Sequence, residues 1–282
     1  MKGNVIRNWI HKVFGDIKVS RHPMYIAYDP GGCGVEGEEV REVLRVLQPG
    51  DILLRRFNGY LDNWFIPGRF THAAIYCGPL TEADRPLAAW LHQGNRRPSA
   101  MAQFKVGPEM VIHALAPVVK EEDILTFCRC DKLAILRLPE VIRAVVPPLG
   151  AGVPREHFDA EELGIDDLLK SGEAVARDTV IPLLIKEAVR RVGLPFDFDF
   201  RLTSFGHLYC SELVYVCFKS VQRFLNVRPT MHRAWWFARN SILPDDFLKA
   251  GLHLVWVSRS VAKAHPELAG TAVGRPVFGV GT

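Results

Sequence analysis

Between Gln48 and Leu138 the sequence sets down four short apolar runs, and an apolar helix headed by a cysteine follows only at position 210. The runs are Asp51–Arg55, Thr71–Cys77, Met110–Leu115 and Leu133–Leu138. Each is too short for a packed helix and is bounded by turn formers such as Pro49-Gly50 and Gly78-Pro79, so each reads as a strand. Leu252–Val257 reads as a last strand. Strands first, then the cysteine helix, predict an α+β domain: an antiparallel sheet packed against that helix.

The flanks carry weaker signals. Val5, Ile6, Trp9, Ile10, Val13, Phe14 and Ile17 recur at helical spacing, with Lys2, Arg7 and Lys12 elsewhere on the wheel. This predicts an amphipathic N-terminal helix, docked on the body of the protein or on a membrane surface or protein partner. A short strand at Met24–Tyr28 and a helix from Glu38 to Leu47 follow. Residues 139–178, with Pro147-Pro148, Gly150, Gly152, Pro154 and an acidic stretch, read as an insertion or partly helical linker. Ile181–Val192 reads as a helix stopped by Gly193 and Pro195. The expected organisation is a lead-in over 1–45, a main domain over 46–258 containing the insertion, and a tail over 259–282.

Composition narrows the function classes. With 48% hydrophobic residues in 282 positions, the chain has ample material for a core. A formal net charge of +4 lacks the clustered basic stripe of a nucleic-acid binder. The longest apolar runs fall short of a membrane span. The six cysteines, Cys33, Cys77, Cys128, Cys130, Cys210 and Cys217, are scattered rather than framed as a disulfide scaffold. A cytoplasmic, reducing place of synthesis is expected, with membrane association or carriage in a particle left open.

Cys210 stands where chemistry is easiest to build. The first turn of a helix has unpaired N–H groups and a partial positive charge, and both favour the nucleophilic thiolate. Such a cysteine needs a base, usually His, and a third group to orient it. His72 and His113 lie inside strands among small or aliphatic neighbours, which leaves room for an imidazole. His207, three residues before the thiol, is a rival base. Cys217, deeper in the same helix, reads as packing.

Four segments, in order, then carry a resemblance: Gln48-Pro-Gly-Asp-Ile-Leu-Leu54, Thr71-His-Ala-Ala-Ile-Tyr-Cys-Gly78, Val111-Ile-His-Ala114 and Tyr209-Cys-Ser-Glu-Leu-Val214. Together they resemble the YiiX/YebB-like branch of the permuted NlpC-type cysteine hydrolases, relatives of the lecithin:retinol acyltransferase-like enzymes. The resemblance covers roughly 46–250 and implies a circularly permuted papain-like fold. It implies Cys210 as nucleophile, His72 as base and His113 as the orienting group. Many bacterial members carry Glu at the third position, whereas the acyltransferase-like relatives carry His, as this chain does. The implied reaction is attack on an amide carbonyl through an acyl-enzyme, with the Cys210 N–H helping to hold the oxyanion. The leading substrate class is a peptide-type amide, as in cell-wall peptide. An acyl lipid or thioester is the alternative, and a non-catalytic component of an assembly is the second. Tyr209 and Trp64 are expected to line the site. Asp197 reads as structural, and Glu212 as an anchor for the helix. No cofactor and no metal are implied.

Competing motifs are weaker. Gly32-Cys-Gly34-Val-Glu-Gly37 fits a dinucleotide turn, but Glu36, Glu38 and Glu39 would repel a pyrophosphate. Tyr215 and Lys219 have a reductase-like spacing that a plain helix face explains equally well. Cys128-Arg-Cys130 lacks further zinc ligands nearby in sequence and reads as a reduced pair.

Overall fold

The computed structural model describes residues 18–21, 24–27, 34–59, 66–88, 104–144, 152–200, 202, 205–234 and 237–271. The N-terminal helix expected over the first seventeen residues, and Trp64, lie outside them.

Two strands, β1 (Lys18–Arg21) and β2 (Met24–Ala27), pair as a hairpin. The expected helix before the sheet is α1, Gly37–Val46. Six strands then form one antiparallel sheet: β3 (Ile52–Arg56), β4 (His72–Leu80), β5 (Gly107–Leu115), β6 (Val118–Asp123), β7 (Lys132–Arg137) and β12 (His253–Val257). Their spatial order is β12-β7-β3-β4-β5-β6. The five sheet strands read from the sequence are present, and the short strand read at Met24–Tyr28 is β2. β6 was not anticipated, because Lys120-Glu-Glu-Asp123 hides its alternation. It is an edge strand, where charged residues are at home.

Helices cover both faces. One face carries Ile52, Leu54, Ala73, Ile75, Ile112 and Leu136, and packs Leu184 and Ala188 of α4 (Arg177–Arg191) and Leu213 and Val214 of α5 (Cys210–Cys217). The other face carries Leu53, Ala74, Tyr76, Val111 and Ile135, under Val43 of α1 and Phe127 of the short helix α2 (Ile124–Phe127). This is α+β, as the order of elements predicts. A six-stranded sheet buried on both sides explains why its strands read as continuous apolar runs rather than clean alternation.

The described residues of the stretch 139–178 are part of the body. Short strands β8 (Val141–Ile142) and β9 (Val175–Ala176) pair, and helix α3 (Ala160–Lys170) lies between them in sequence. Asp159 caps α3 through the N–H groups of Glu161 and Glu162, and Ile165 and Leu169 enter the main core. A hairpin, β10 (Thr230–Ala234) with β11 (Phe237–Ser241), precedes β12. Two short helices, α6 (Arg259–Ala264) and α7 (Pro266–Thr271), follow it. No helix among the described residues is long and apolar enough to cross a membrane.

Two turn motifs are explained locally. Gly50 holds φ +89°, and a Cβ there would collide with Ile181 Cδ1. Its neighbour Asp51 accepts the Gln48 N–H at 2.8 Å and a two-point ion pair from Arg137, each contact 2.7 Å. The conspicuous Pro49-Gly-Asp51 string therefore fixes the entry to β3. Gly34 packs on the Asp131 backbone, where a Cβ would lie 2.7 Å from the carbonyl oxygen. Close chain approach is thus a sufficient account of that glycine.

Candidate active site

The site is built where β4 and β5 part. Their register runs from Ile75↔Ile112 towards Gly107 and does not extend back to Ala73. Tyr76 donates its N–H to Asp51 O on the β3 side, so by strand alternation Ala73 turns its N–H towards β5. That N–H meets the Cys210 thiol instead of a strand carbonyl.

Helix α5 brings the thiol there. All eight of its residues are buried, and no side chain caps its start, with Tyr209 in the cap position. Packing holds this helix in place of a cap. The free amides of its first turn turn to the sulfur: the N–H groups of Cys210 and Ser211 face it, and Ser211 Oγ lies 3.9 Å away.

These donors favour a thiolate, yet they do not prevail. Burial pushes the Cys210 thiol above its ordinary value, against the opposing pull of the Ala73 N–H, the Ser211 hydroxyl and the two helix amides. The thiolate expected at the helix mouth is therefore not the favoured form. The pull of the helix start is real, but desolvation of a side chain 5% exposed outweighs it.

His72 and His113 stand side by side. His72 Nε2 and His113 Nδ1 are 2.8 Å apart, and the rings meet edge to face with centroids 5.0 Å apart. Both pack on Phe127. His113 is fully buried, whereas His72 is half-buried. Burial first, then nearby cations, hold both well below the usual imidazole range. Arg55 and Lys120 act on His72; His72 itself, Arg55, Lys120 and Lys105 act on His113. At neutral pH the resting site therefore holds a thiol and two neutral imidazoles.

The histidines occupy the face of the sheet shared with Ala74, Tyr76 and Val111, while α5 packs on the face of Ala73 and Ile75. The thiol touches β4 at the residue next to His72, and no hydrogen bond joins Cys210 to His72. The three residues named from the sequence thus gather at one end of β4 without closing into a bonded triad. Catalytic hydrogen bonds in unliganded sites are often long or open.

Behind His113 the sequence reading missed a charged pair. Glu122 Oε2 lies 3.6 Å from His113 Nε2 and 3.4 Å from Arg55 Nη1. Arg55, 5% exposed, also donates to Phe127 O at 3.1 Å and lies 4.0 Å over the Phe127 ring. The signal was present as the charged residue two places past Lys120, but β6 itself went unread.

Other expected roles change. Tyr209 is 1% exposed; it accepts the Ile242 N–H on its hydroxyl at 3.0 Å and packs on Phe200, with centroids 5.2 Å apart. It is a core residue and does not line a surface. Glu212 is completely buried; neither carboxylate oxygen reaches full hydrogen-bond geometry, and the backbone N–H of Tyr209 at the helix start is the donor that faces it. Burial, and then Asp197, push it up to about 9. His207 is exposed. Cys128 and Cys130 are buried and reduced, and burial raises Cys128 to about 12. Among the described residues no group of three or more His, Cys, Asp or Glu side chains is arranged to hold a metal.

No family model matches the chain, and no curated protein matches it. Among solved structures, the metalloprotein yiiX from Escherichia coli O157:H7 is a distant likeness: 14% identity over 75% of this chain and 97% of that chain, with a TM-score of 0.41.

Proposed function

We propose that the protein is a cysteine hydrolase that attacks an amide or ester carbonyl through Cys210. The observation that carries this reading is the His72–His113 pair, bonded at 2.8 Å beside the strand position whose N–H meets the Cys210 thiol. A hydrogen-bonded histidine pair, one residue along β4 from the position that meets a helix-start thiol, offers the groups that nucleophilic catalysis needs. With burial holding the thiol above its ordinary value and both imidazoles below theirs, the proposed route is general-base catalysis rather than a standing ion pair. His72 removes the thiol proton as the carbonyl arrives, and the sulfur adds to the carbonyl carbon. The leaving group departs with the proton from His72, and water releases the acyl group. The first-turn amides of α5 stand ready for the oxyanion.

A peptide-type amide, as in cell-wall peptide, is the leading substrate, with acyl lipid or thioester next. Incubation with cell-wall peptide fragments and, separately, with acyl thioesters and phospholipids, read by mass spectrometry, chooses between them. Products from one class that vanish in Cys210→Ala are expected. Turnover that survives Cys210→Ala removes the proposal.

A second reading has its own support. The thiol is buried, protonated and unbonded to His72, as a packing cysteine would be. The chain is then a non-catalytic member of the fold, and no carbonyl compound acylates Cys210.

A further inference from the structure

We infer that Glu122, held by Arg55, is a positioning residue that makes His72 a base by choosing the tautomer of His113. This rests on the reading of Cys210 and His72 given above. The hydrogen bond between His72 Nε2 and His113 Nδ1 carries one proton, which belongs to one ring or the other. If His113 is protonated at Nδ1, it donates, and His72 must accept at Nε2. A neutral His72 then carries its own proton on Nδ1 and cannot take one from a thiol. If His113 is protonated at Nε2, its Nδ1 accepts from His72 Nε2–H. The Nδ1 of His72 then keeps the lone pair that a base requires.

The two states differ in what His113 Nε2 shows to its surroundings. That nitrogen is buried without a hydrogen-bond partner, and the Glu122 carboxylate stands 3.6 Å from it. A carboxylate attracts an N–H there and repels a lone pair, so it favours the state in which His72 is a base. The other charged groups facing His113 are Arg55 on β3, Lys120 on β6 and Lys105 ahead of β5. None of them hydrogen-bonds the ring. Arg55 directs Nη1 to Glu122 and to Phe127 O, and Lys120 Nζ lies 3.9 Å from the other Glu122 oxygen. The carboxylate is therefore clamped from two sides with its Oε2 towards the imidazole.

The proton path balances. The Cys210 proton moves to His72 Nδ1 as the S–C bond forms. The resulting imidazolium keeps Nε2–H donated to His113 Nδ1, and the Nδ1 proton later passes to the leaving group. Glu122 moves no proton and touches no substrate. The sequence resemblance assigned three roles, to Cys210, His72 and His113. The fourth position, Glu122, comes from the structure alone.

The test is nuclear magnetic resonance of the full-length protein labelled with nitrogen-15 in histidine, at a pH where both rings are neutral. Ring-nitrogen shifts separate protonated from unprotonated nitrogens. The expected wild-type result is His113 protonated at Nε2 and His72 at Nε2. Glu122→Gln keeps an acceptor oxygen and is expected to keep both tautomers. Glu122→Ala is expected to shift population to the other pair and to slow acylation of Cys210 by an activated ester on the order of tenfold or more. Wild-type His113 protonated at Nδ1 overturns the inference, whatever the variants do. So does Glu122→Ala with unchanged tautomers and unchanged acylation. If Glu122→Ala does not fold, the wild-type spectrum alone decides. A wild-type Cys210 that never acylates removes the hydrolase reading, while the tautomer assignment still stands or falls on the spectrum.

Discussion

Cys210 and Glu212 sit two residues apart in α5 and are governed by the same force. Burial raises both, one the proposed nucleophile and the other a carboxyl that only the Tyr209 N–H faces. For Cys210 the consequence is kinetic. Iodoacetamide labelling of the resting protein should keep rising with pH beyond the ordinary thiol value of 9.0, without a plateau near neutrality. A plateau near neutrality would reveal a thiolate–imidazolium pair and contradict the neutral site. For Glu212 the consequence is thermodynamic. Its folded value of about 9 exceeds the ordinary 4.5, so the native state holds one more proton between those limits. Stability therefore falls as pH rises through that window, by at most about 1.4 kcal/mol per pH unit. Glu212→Gln should flatten that slope and raise the melting temperature at pH 8, as calorimetry would read. At this scale the sequence names residue types and their spacing, and leaves their ionisation unread. It marked Cys210, His72 and His113, but it could not weigh desolvation against a helix start, because burial belongs to the fold.

The elements show the same division. The apolar runs of β3, β4, β5, β7 and β12 were readable because strands covered on both faces must be apolar throughout. β6 was not, since four of its six residues are charged and only Val119 and Glu121 are fully buried. That one missed strand carries Glu122, so an unread element concealed a residue of the site. The string Pro49-Gly-Asp51 was noticed for its resemblance, and its physical work lies at the start of β3. Asp51, 1% exposed, binds Arg137 by two contacts of 2.7 Å. Asp51→Ala leaves that guanidinium unpaired and should cost about 3 kcal/mol or more in denaturant unfolding. A loss under about 1 kcal/mol would place the pair with weak surface bridges.

Across the whole molecule, the region expected as an insertion ties the structure together. Lys219, just past α5, reaches Glu162 of α3 at 3.0 Å and Glu187 of α4 at 3.1 Å, with all three side chains no more than 3% exposed. Phe158, Ile165 and Leu169 join the same core as the cysteine helix. Lys219→Met removes the cation and leaves two buried carboxylates facing each other. It should destabilise the whole fold by about 3–5 kcal/mol, seen as one cooperative transition at lower denaturant. Separate melting of 139–178 would show the region to be an appendage. Its prolines, glycines and acidic run suggested a linker because a polar clamp and a cap look like loop composition in one dimension. Only the packing of α3 and α4 shows which of those charges are inside.

The claim on which the rest depends is that Cys210 attacks carbonyls with His72 as its base. The most direct measurement is intact-protein and peptide mass spectrometry after brief exposure to an activated acyl ester, for the wild type and for His72→Ala shown by circular dichroism to be folded. The account predicts one acyl group on the wild-type protein, on the peptide containing Cys210, and a loss of that adduct on the order of a hundredfold or more in His72→Ala. Equal acylation of both proteins, or none on Cys210 with any ester, would contradict it.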